Sequence, residues 1–211
     1  MKEYRIPQKE NIDLDAFEEP SSSFGGYSYA DYLKWDYEEI VELIKGKVFA
    51  KPPFPRLRHQ EVLGEIICQI HTFLTKGTAH VYQAPFDIRL SKNHDYSMIE
   101  SVVQPDIYVI YDSDKLDDYG CFGAPDLIVE IISNGNSRVE LQDKYKLYEE
   151  FGVREYWVVH PKDCSLMVYT LVNTKFQSSR LFTTGDVFHS TVIEGFFLDM
   201  EKVFDNSILP K

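Results

Sequence analysis

A glutamate interrupts an apolar run in the stretch Ala124-Pro-Asp-Leu-Ile-Val-Glu-Ile-Ile-Ser133, whose composition is that of a buried β-strand. Because side chains alternate along a strand, Glu130 shares a face with Asp126 and lies opposite the face of Val129. An ionised carboxylate in such a place is costly to bury alone. A cation, a proton or a metal ion must therefore compensate Glu130.

A second acid has a similar setting upstream. In the stretch Val102-Val-Gln-Pro-Asp-Ile-Tyr-Val-Ile-Tyr111, Asp106 follows a proline and precedes an aliphatic run. If the two stretches form neighbouring strands, Asp106 and Glu130 point inward together, and paired carboxylates suit a divalent cation. We therefore expect a two-acid metal site built from adjacent strands.

Composition limits the classes of protein that fit. The 211 residues are 44% hydrophobic and 14% aromatic, which is enough for one substantial core. We expect a single domain over residues 27–211, preceded by an acidic, poorly ordered arm over residues 1–26. The net charge of −12 argues against non-specific coating of nucleic acid, because phosphate affinity comes largely from Lys and Arg.

The cysteines and the hydropathy indicate a cytoplasmic protein. Cys68, Cys121 and Cys164 are far apart and in no metal-ligand spacing, which is typical of reduced thiols. The N-terminus has no apolar signal region, and no stretch approaches the roughly 20 apolar residues that cross a bilayer. We expect neither a membrane segment nor structural zinc.

Hydrophobic periodicity predicts a mixed α/β sheet flanked by helices. The predicted elements are, in order, a short helix at 28–35, strands at 40–44 and 47–49, a helix at 59–74, one half-exposed strand at 81–90, the two acid-bearing strands separated by an acidic connection at 112–118, a helix at 139–151, a hairpin of strands at 155–160 and 165–171, and one or two further strands with a short closing helix. No Gly-rich phosphate loop, Rossmann fingerprint, Gly-x-Ser-x-Gly elbow or His-Glu-x-x-His pair is present, so several large enzyme classes lose support.

Three motifs follow one another along the chain. They are Gln104-Pro-Asp106, Pro125-Asp-Leu-Ile-Val-Glu-Ile-Ile-Ser133, and Lys144-x-x-x-Tyr148-x-x-x-Gly152-Val-x-Glu-Tyr-Trp157. In this order and spacing they resemble the Uma-type restriction endonuclease family, which is grouped with the PD-(D/E)XK nuclease superfamily. The resemblance extends from about Tyr27 to Phe204 and implies a restriction-endonuclease-like fold. It also implies Mg²⁺-dependent hydrolysis of phosphodiester bonds, with DNA as the expected substrate.

Within this resemblance, Asp106 and Glu130 match the two metal-binding acids, with Mg²⁺ as the expected ion and Mn²⁺ as a substitute. The superfamily pattern expects a lysine two residues after the second acid, where this chain has Ile132. In the resembling family the basic residue comes from the following helix, which here is Lys144. Its ammonium group would orient the attacking water or stabilise charge on the scissile phosphate.

Further residues flank the expected site. The additional candidates for catalysis or metal binding are Glu42, His59, Glu140 and Gln104, and those for substrate binding are Lys51, Arg56 and Arg58. The basic residues precede the first long helix, where they would offset the acidic total along a DNA path. Duplex cleavage commonly matches a two-fold assembly, so by analogy a homodimer is expected.

Each assignment has a structural alternative. An Asp after Pro is often a turn acceptor, and Glu130 could pair with Lys144 without any metal. Asn134-Gly135 stands where the family usually has Pro-Ser, and His160 where Asp is common. Ile132 and the acidic balance favour a second hypothesis, a degenerate member that keeps the fold and binds DNA or a partner protein without cutting.

Overall fold

The computed structural model describes residues 26–36, 40–51, 56–74, 79–132 and 138–205, without the side chains of residues 138–140. The expected arm at 1–26 therefore lies outside the described residues, apart from Gly26. The helices within these ranges are α1 (Tyr29–Tyr32), α2 (Leu57–Leu74), α3 (Arg138–Phe151) and α4 (Met200–Val203). Over the described part of the chain, no helix combines the length and the apolar character needed to span a membrane.

The strands divide between two larger sheets and one hairpin. They are β1 (Val41–Ile44), β2 (Lys47–Ala50), β3 (His80–Gln83), β4 (Asp87–Arg89), β5 (Val102–Val103), β6 (Ile107–Ile110), β7 (Leu116–Asp117), β8 (Gly120–Phe122), β9 (Leu127–Ile131), β10 (Glu155–His160), β11 (Ser165–Val172), β12 (Lys175–Ser178), β13 (Phe182–Thr183), β14 (Val187–His189) and β15 (Phe197–Asp199). The first sheet has the order β2-β1-β5-β4-β8-β7, and the second has the order β12-β11-β10-β9-β6-β3 with β13 beside β11. β14 pairs with β15. The mixed α/β architecture is confirmed, although two sheets replace the single one expected.

The second sheet has an apolar core on each face. On one face, α2 packs Val62 and Ile66 against Val129 of β9. On the other face, Ile128 of β9 packs with Leu147 of α3 and with residues of the first sheet. The predicted alternation of β9 is therefore confirmed, and Glu130 lies on the face that α3 covers.

One strand prediction is wrong. The alternating stretch 81–90 forms β3 in the second sheet and β4 in the first, with Pro85 between them. A proline has no amide hydrogen for the ladder, which explains why the strand does not continue through it. Arg89, expected on an exposed face, is 1% exposed because it pairs with Asp117 at 2.7 Å and lies over the ring of Tyr29.

Two further boundaries differ from the expected ones. α2 begins at Leu57 rather than His59, which places His59 in its first turn. The acidic connection at 112–118 contains a 3₁₀ turn at Ser113–Lys115 and the strand β7, and four strands rather than one or two follow β11. Short polar strands carry little alternation, so their pairing depends on neighbours that the sequence pattern does not identify.

The turn between β1 and β2 sets the direction of the strand that carries Glu42. Lys45 and Gly46 have φ values of 50° and 75°, the left-handed region needed by a tight two-residue hairpin turn. A Cβ atom at Gly46 would meet the Cα atom of Gly26 at 2.8 Å, so this position requires glycine. The resulting register places Glu42 opposite Phe49.

A buried carboxylate fastens the segment after β14 to the second sheet. Glu155 is fully buried and accepts hydrogen bonds from Trp157 Nε1 at 2.8 Å and Ser190 Oγ at 2.8 Å. The backbone N–H and the hydroxyl of Thr191 donate to its other oxygen at 2.9 and 2.7 Å. These neutral donors solvate the carboxylate in place of water.

Glu155→Ala is expected to lower the free energy of unfolding by about 3 kcal/mol, because buried donors lose their acceptor. Urea denaturation followed by circular dichroism measures the change. The control is Glu194→Ala, which removes an exposed acid from the same region and should cost about 0.5 kcal/mol or less. Equal losses in the two variants would contradict the structural role of Glu155.

Candidate active site

Lys144 of α3 lies at the centre of a buried charge cluster. Its Nζ is 2.6 Å from Oε2 of Glu42 on β1 and 2.9 Å from Oε1 of Glu130 on β9. The side chains of Lys144 and Glu42 are 0% exposed and that of Glu130 is 4% exposed. One ammonium group therefore joins the first sheet, the second sheet and a helix.

A second donor on α3 reaches the same glutamate. The hydroxyl of Tyr148 donates to Oε1 of Glu130 at 2.9 Å. Residues four apart lie on one helical stripe, which is why Lys144 and Tyr148 converge on one oxygen. The four-residue spacing of Lys144 and Tyr148 is visible in the sequence, but it does not identify Glu130 as the acceptor of the Tyr148 hydroxyl. Glu140 belongs to the same stripe, but its side chain lies outside what the structure describes.

The two glutamates that share Lys144 have pKa shifts in opposite directions. Burial raises the pKa of Glu42, but the charges of Lys144 and Lys51 and the amide of Gln104 outweigh it, so the net shift is downward. Burial raises the pKa of Glu130, and the negative charge of Glu42 adds to the effect despite Lys144, so the net shift is upward. Glu42 is thus the firmly ionised member of the pair.

Asp106 adjoins Glu130 across neighbouring antiparallel strands. Ile107 of β6 is registered opposite Val129 of β9, so Asp106, the residue before β6, lies next to the end of β9 that carries Glu130. The Oδ2 atom of Asp106 accepts the Ile131 N–H at 2.6 Å, which ties its carboxylate to β9. The expectation that the two acid-bearing stretches are adjacent strands is confirmed.

The first turn of α2 supplies a partner for Asp106. His59 Nε2 lies 3.2 Å from Asp106 Oδ1. Burial raises the pKa of Asp106, but the hydrogen bond from His59, the charge of Lys51 and the Ile131 N–H outweigh it. The net pKa shift of Asp106 is downward, which favours the ionised carboxylate. Its two oxygens are held from two sides, by His59 and by the Ile131 N–H.

Gln104 links the cluster to a second layer of polar groups. Its backbone N–H donates to Oε1 of Glu42 at 2.7 Å, and its carbonyl accepts a hydrogen bond from Lys51 Nζ. Its side-chain amide donates to Asp87 Oδ1 at 2.7 Å and to the Tyr32 hydroxyl at 3.1 Å. Asp87 and Tyr32 were not singled out from the sequence, because no spacing relates α1 and β4 to the Gln104-Pro-Asp106 motif.

The cluster is closed at one end and open at the other. Glu42 and Lys144 are fully buried, whereas the side chains of His59, Asp106 and Lys51 are 11%, 14% and 15% exposed. Solvent therefore reaches the Asp106 side of the cluster and not the Lys144 side. A ligand would have to approach from the Asp106 side.

The remaining candidates lie nearby but serve local contacts or face solvent. Arg58 donates to the carbonyls of Phe204 and Asp205 at 3.0 Å, which joins α2 to the end of α4. Arg56 is exposed just before α2, and Ile132 is half-buried where the superfamily pattern expects lysine. Across the described ranges, no three His, Cys, Asp or Glu side chains are arranged around one metal position.

Comparison with known proteins identifies the class and then the family. The structure is similar to one titled "Crystal structure of a putative nuclease belonging to DUF820" from Anabaena variabilis ATCC 29413, with a TM-score of 0.68 and 19% identity over 84% of this chain and 97% of that chain. No curated protein matches the chain. The fold and the cluster of acids and lysines define an α/β protein of the restriction-endonuclease-like class. A family model, Uma2, described as "Putative restriction endonuclease", matches residues 29–201, and the chain belongs to this family.

The pH dependence of stability should distinguish the two buried glutamates. The pKa of Glu130 in the folded state lies above its ordinary value of 4.5, so its contribution is present below that value and is lost as pH rises through the folded pKa. Glu130→Gln lacks this loss, so its free energy of unfolding should rise relative to wild type as the pH increases above the ordinary value of 4.5. Urea denaturation at several pH values measures the difference.

The control for that experiment is Glu42→Gln. The pKa of Glu42 is lowered in the folded state, so its contribution is present above its ordinary value and is lost as pH falls through the folded pKa. Glu42→Gln should therefore become less stable relative to wild type over the same rise in pH. Parallel curves for the two variants would contradict the assignment.

Removing the shared ammonium should cost more than removing one hydrogen bond. Lys144→Met leaves two buried carboxylates without their common cation and is expected to lower the free energy of unfolding by about 4 kcal/mol. Tyr148→Phe removes a single hydroxyl from the same helix and should cost about 1 kcal/mol. Chemical denaturation compares the two, and a loss for Lys144→Met no larger than that for Tyr148→Phe would disprove the central role of Lys144.

Proposed function

We propose that this chain is a Mg²⁺-dependent endonuclease that hydrolyses phosphodiester bonds in DNA. The observation that carries the proposal is the pairing of β6 with β9, where Asp106 accepts the N–H of Ile131, the residue after Glu130, at 2.6 Å and Lys144 lies beside Glu130. Membership in a family described as restriction endonucleases supports a nuclease. The metal, the choice of DNA and the roles of individual residues are our inference from the chemistry of the cluster.

The donor types at the open end of the cluster fit a hard divalent cation. Asp106 and Glu130 offer carboxylate oxygens, the ligands that Mg²⁺ prefers, and Glu42 shares Lys144 with Glu130. A bound Mg²⁺ would supply Lewis acidity and neutralise charge on a phosphate. In this proposal Asp106 and Glu130 hold the ion. Glu42 holds the ammonium group of Lys144 or adds a ligand to the ion through water.

The chain's own residues prepare this site. The Ile131 N–H and His59 fix the two oxygens of Asp106, which orients the carboxylate before any ligand arrives. Lys144 fixes Glu130 from the closed end of the cluster, and its positive charge offsets part of the negative charge of the acids there. Because its ammonium is fully buried, we assign Lys144 a positioning and electrostatic role.

The exposure of the cluster supports a polymeric substrate. Asp106, His59 and Lys51 lie at the solvent side, so a phosphodiester could approach without entering a closed pocket. The net charge of −12 opposes DNA binding, and a divalent cation together with Lys51 and Arg56 would reduce that repulsion locally.

Cutting both strands would suit a two-fold dimer, which sedimentation in the presence of DNA would detect.

A second candidate is a fold that binds DNA or protein without cutting. It is favoured by the ammonium groups of Lys51 and Lys144, which already neutralise the acids. Within the described ranges, no three His, Cys, Asp or Glu side chains surround one metal position. Calorimetric titration with Mn²⁺ separates the candidates, because a binding module need not hold a metal ion in the micromolar to millimolar range.

Asp106→Asn and Glu130→Gln should each reduce Mg²⁺-dependent cleavage of plasmid DNA by about 100-fold or more, because each removes a proposed metal oxygen. EDTA should abolish cleavage by the wild type. The control is Asp118→Asn, an exposed acid in the connection between the same strands, which should cut at the wild-type rate. Circular dichroism checks that the variants fold, and wild-type cleavage by a folded Asp106→Asn protein would refute the proposal.

A further inference from the structure

The acid cluster contains two ammonium groups with different settings. Lys144 is fully buried and held between two glutamates, whereas Lys51 reaches the cluster from the open side. Lys51 Nζ lies 3.5 Å from Oε1 of Glu42 and also donates to the carbonyl of Gln104. Lys51 thus supplies positive charge at the solvent side of the carboxylates.

The position of Lys51 is built into the fold. β2 ends at Ala50, and the backbone N–H of Lys51 donates to the carbonyl of Ile40 at 2.8 Å, which fixes the base of the side chain beside β1. Only the flexible methylene chain and the ammonium extend toward the acids. Such a side chain can leave the cluster by rotation about its own bonds, because the side chain of Lys51 is 15% exposed and so borders solvent.

The ammonium group of Lys51 lies beside the acids of the cluster. It is 3.5 Å from Oε1 of Glu42, which shares Lys144 with Glu130, and it donates to the carbonyl of Gln104, two residues before Asp106. Asp106 and Glu130 are also the residues proposed above to hold the divalent ion. Two cations confined near the same carboxylates repel each other, and this repulsion is weakly screened at a partly buried site.

We propose that Lys51 is a built-in counter-ion of the acid cluster. Its ammonium group occupies the open side, from which a divalent metal would bind, and must swing away when the metal binds. Lys51 stabilises the metal-free cluster and weakens metal affinity by direct competition. Once displaced toward the open side, its ammonium is free to contact a phosphate of the substrate. This inference rests on the proposed metal-dependent function, and it adds a regulatory role for Lys51, the residue that follows β2.

The test measures Mn²⁺ affinity by isothermal titration calorimetry at one pH and ionic strength. Lys51→Met removes the competing charge and keeps much of the apolar stem, so the Mn²⁺ dissociation constant should fall on the order of tenfold. Lys51→Arg keeps a charge and should stay near wild type. Lys47→Met is the matched control, because it removes an exposed lysine from β2 and changes the net charge equally.

A fifth protein, Asp106→Asn, separates the two proposals. If it loses Mn²⁺ binding and Lys51→Met alone binds more tightly, both proposals hold. If Asp106→Asn loses binding but Lys51→Met binds no better than wild type or Lys47→Met, the counter-ion role is refuted and the metal site stands. If Asp106→Asn binds like wild type, or if no variant binds Mn²⁺ at all, the proposed metal site is refuted together with the role of Lys51.

Discussion

The structure depends on one buried ammonium group that is shared by two carboxylates. Lys144 joins Glu42 of the first sheet to Glu130 of the second, and all three side chains are buried. Burying three charges is expensive, so such a cluster is retained only where the fold supplies every partner at short distance. It therefore does two things at once: it fixes the relative position of the two sheets and α3, and it holds the carboxylate of Glu130 in one orientation.

Strand register controls the rest of the site. Because side chains alternate along β9, a shift of one residue in its pairing with β6 would move Glu130 to the face covered by α2 and away from Lys144. The apolar residues of β9 prevent that shift, since Val129 and Ile128 fill different cores. The alternation that makes β9 a stable central strand thus also directs the side chain of Glu130 toward Lys144. The stability of β9 and the position of its carboxylate therefore depend on the same residues.

The differences from the sequence-based expectations share a physical cause. Stretch 81–90 was interpreted as one strand because its alternation is regular, yet the chain leaves one sheet and enters the other at Pro85. Arg89 and Glu155 are charged residues within strands, and both are buried with partners distant along the chain. Alternation reports which side chains can share a face, and it carries no information about which distant groups will cover that face.

By itself the sequence determined the long helices, the central strands and the two acids, because local periodicity and a carboxylate within an apolar run are visible in neighbouring residues. It also indicated that Glu130 needs a compensating cation, and the four-residue spacing placed Lys144 and Tyr148 on one stripe. Only the tertiary structure decided that Glu42 shares this lysine and that His59 and Lys51 complete the open side. Those contacts join residues separated by tens of positions, and their energies depend on burial and distance, which exist only after the chain has folded.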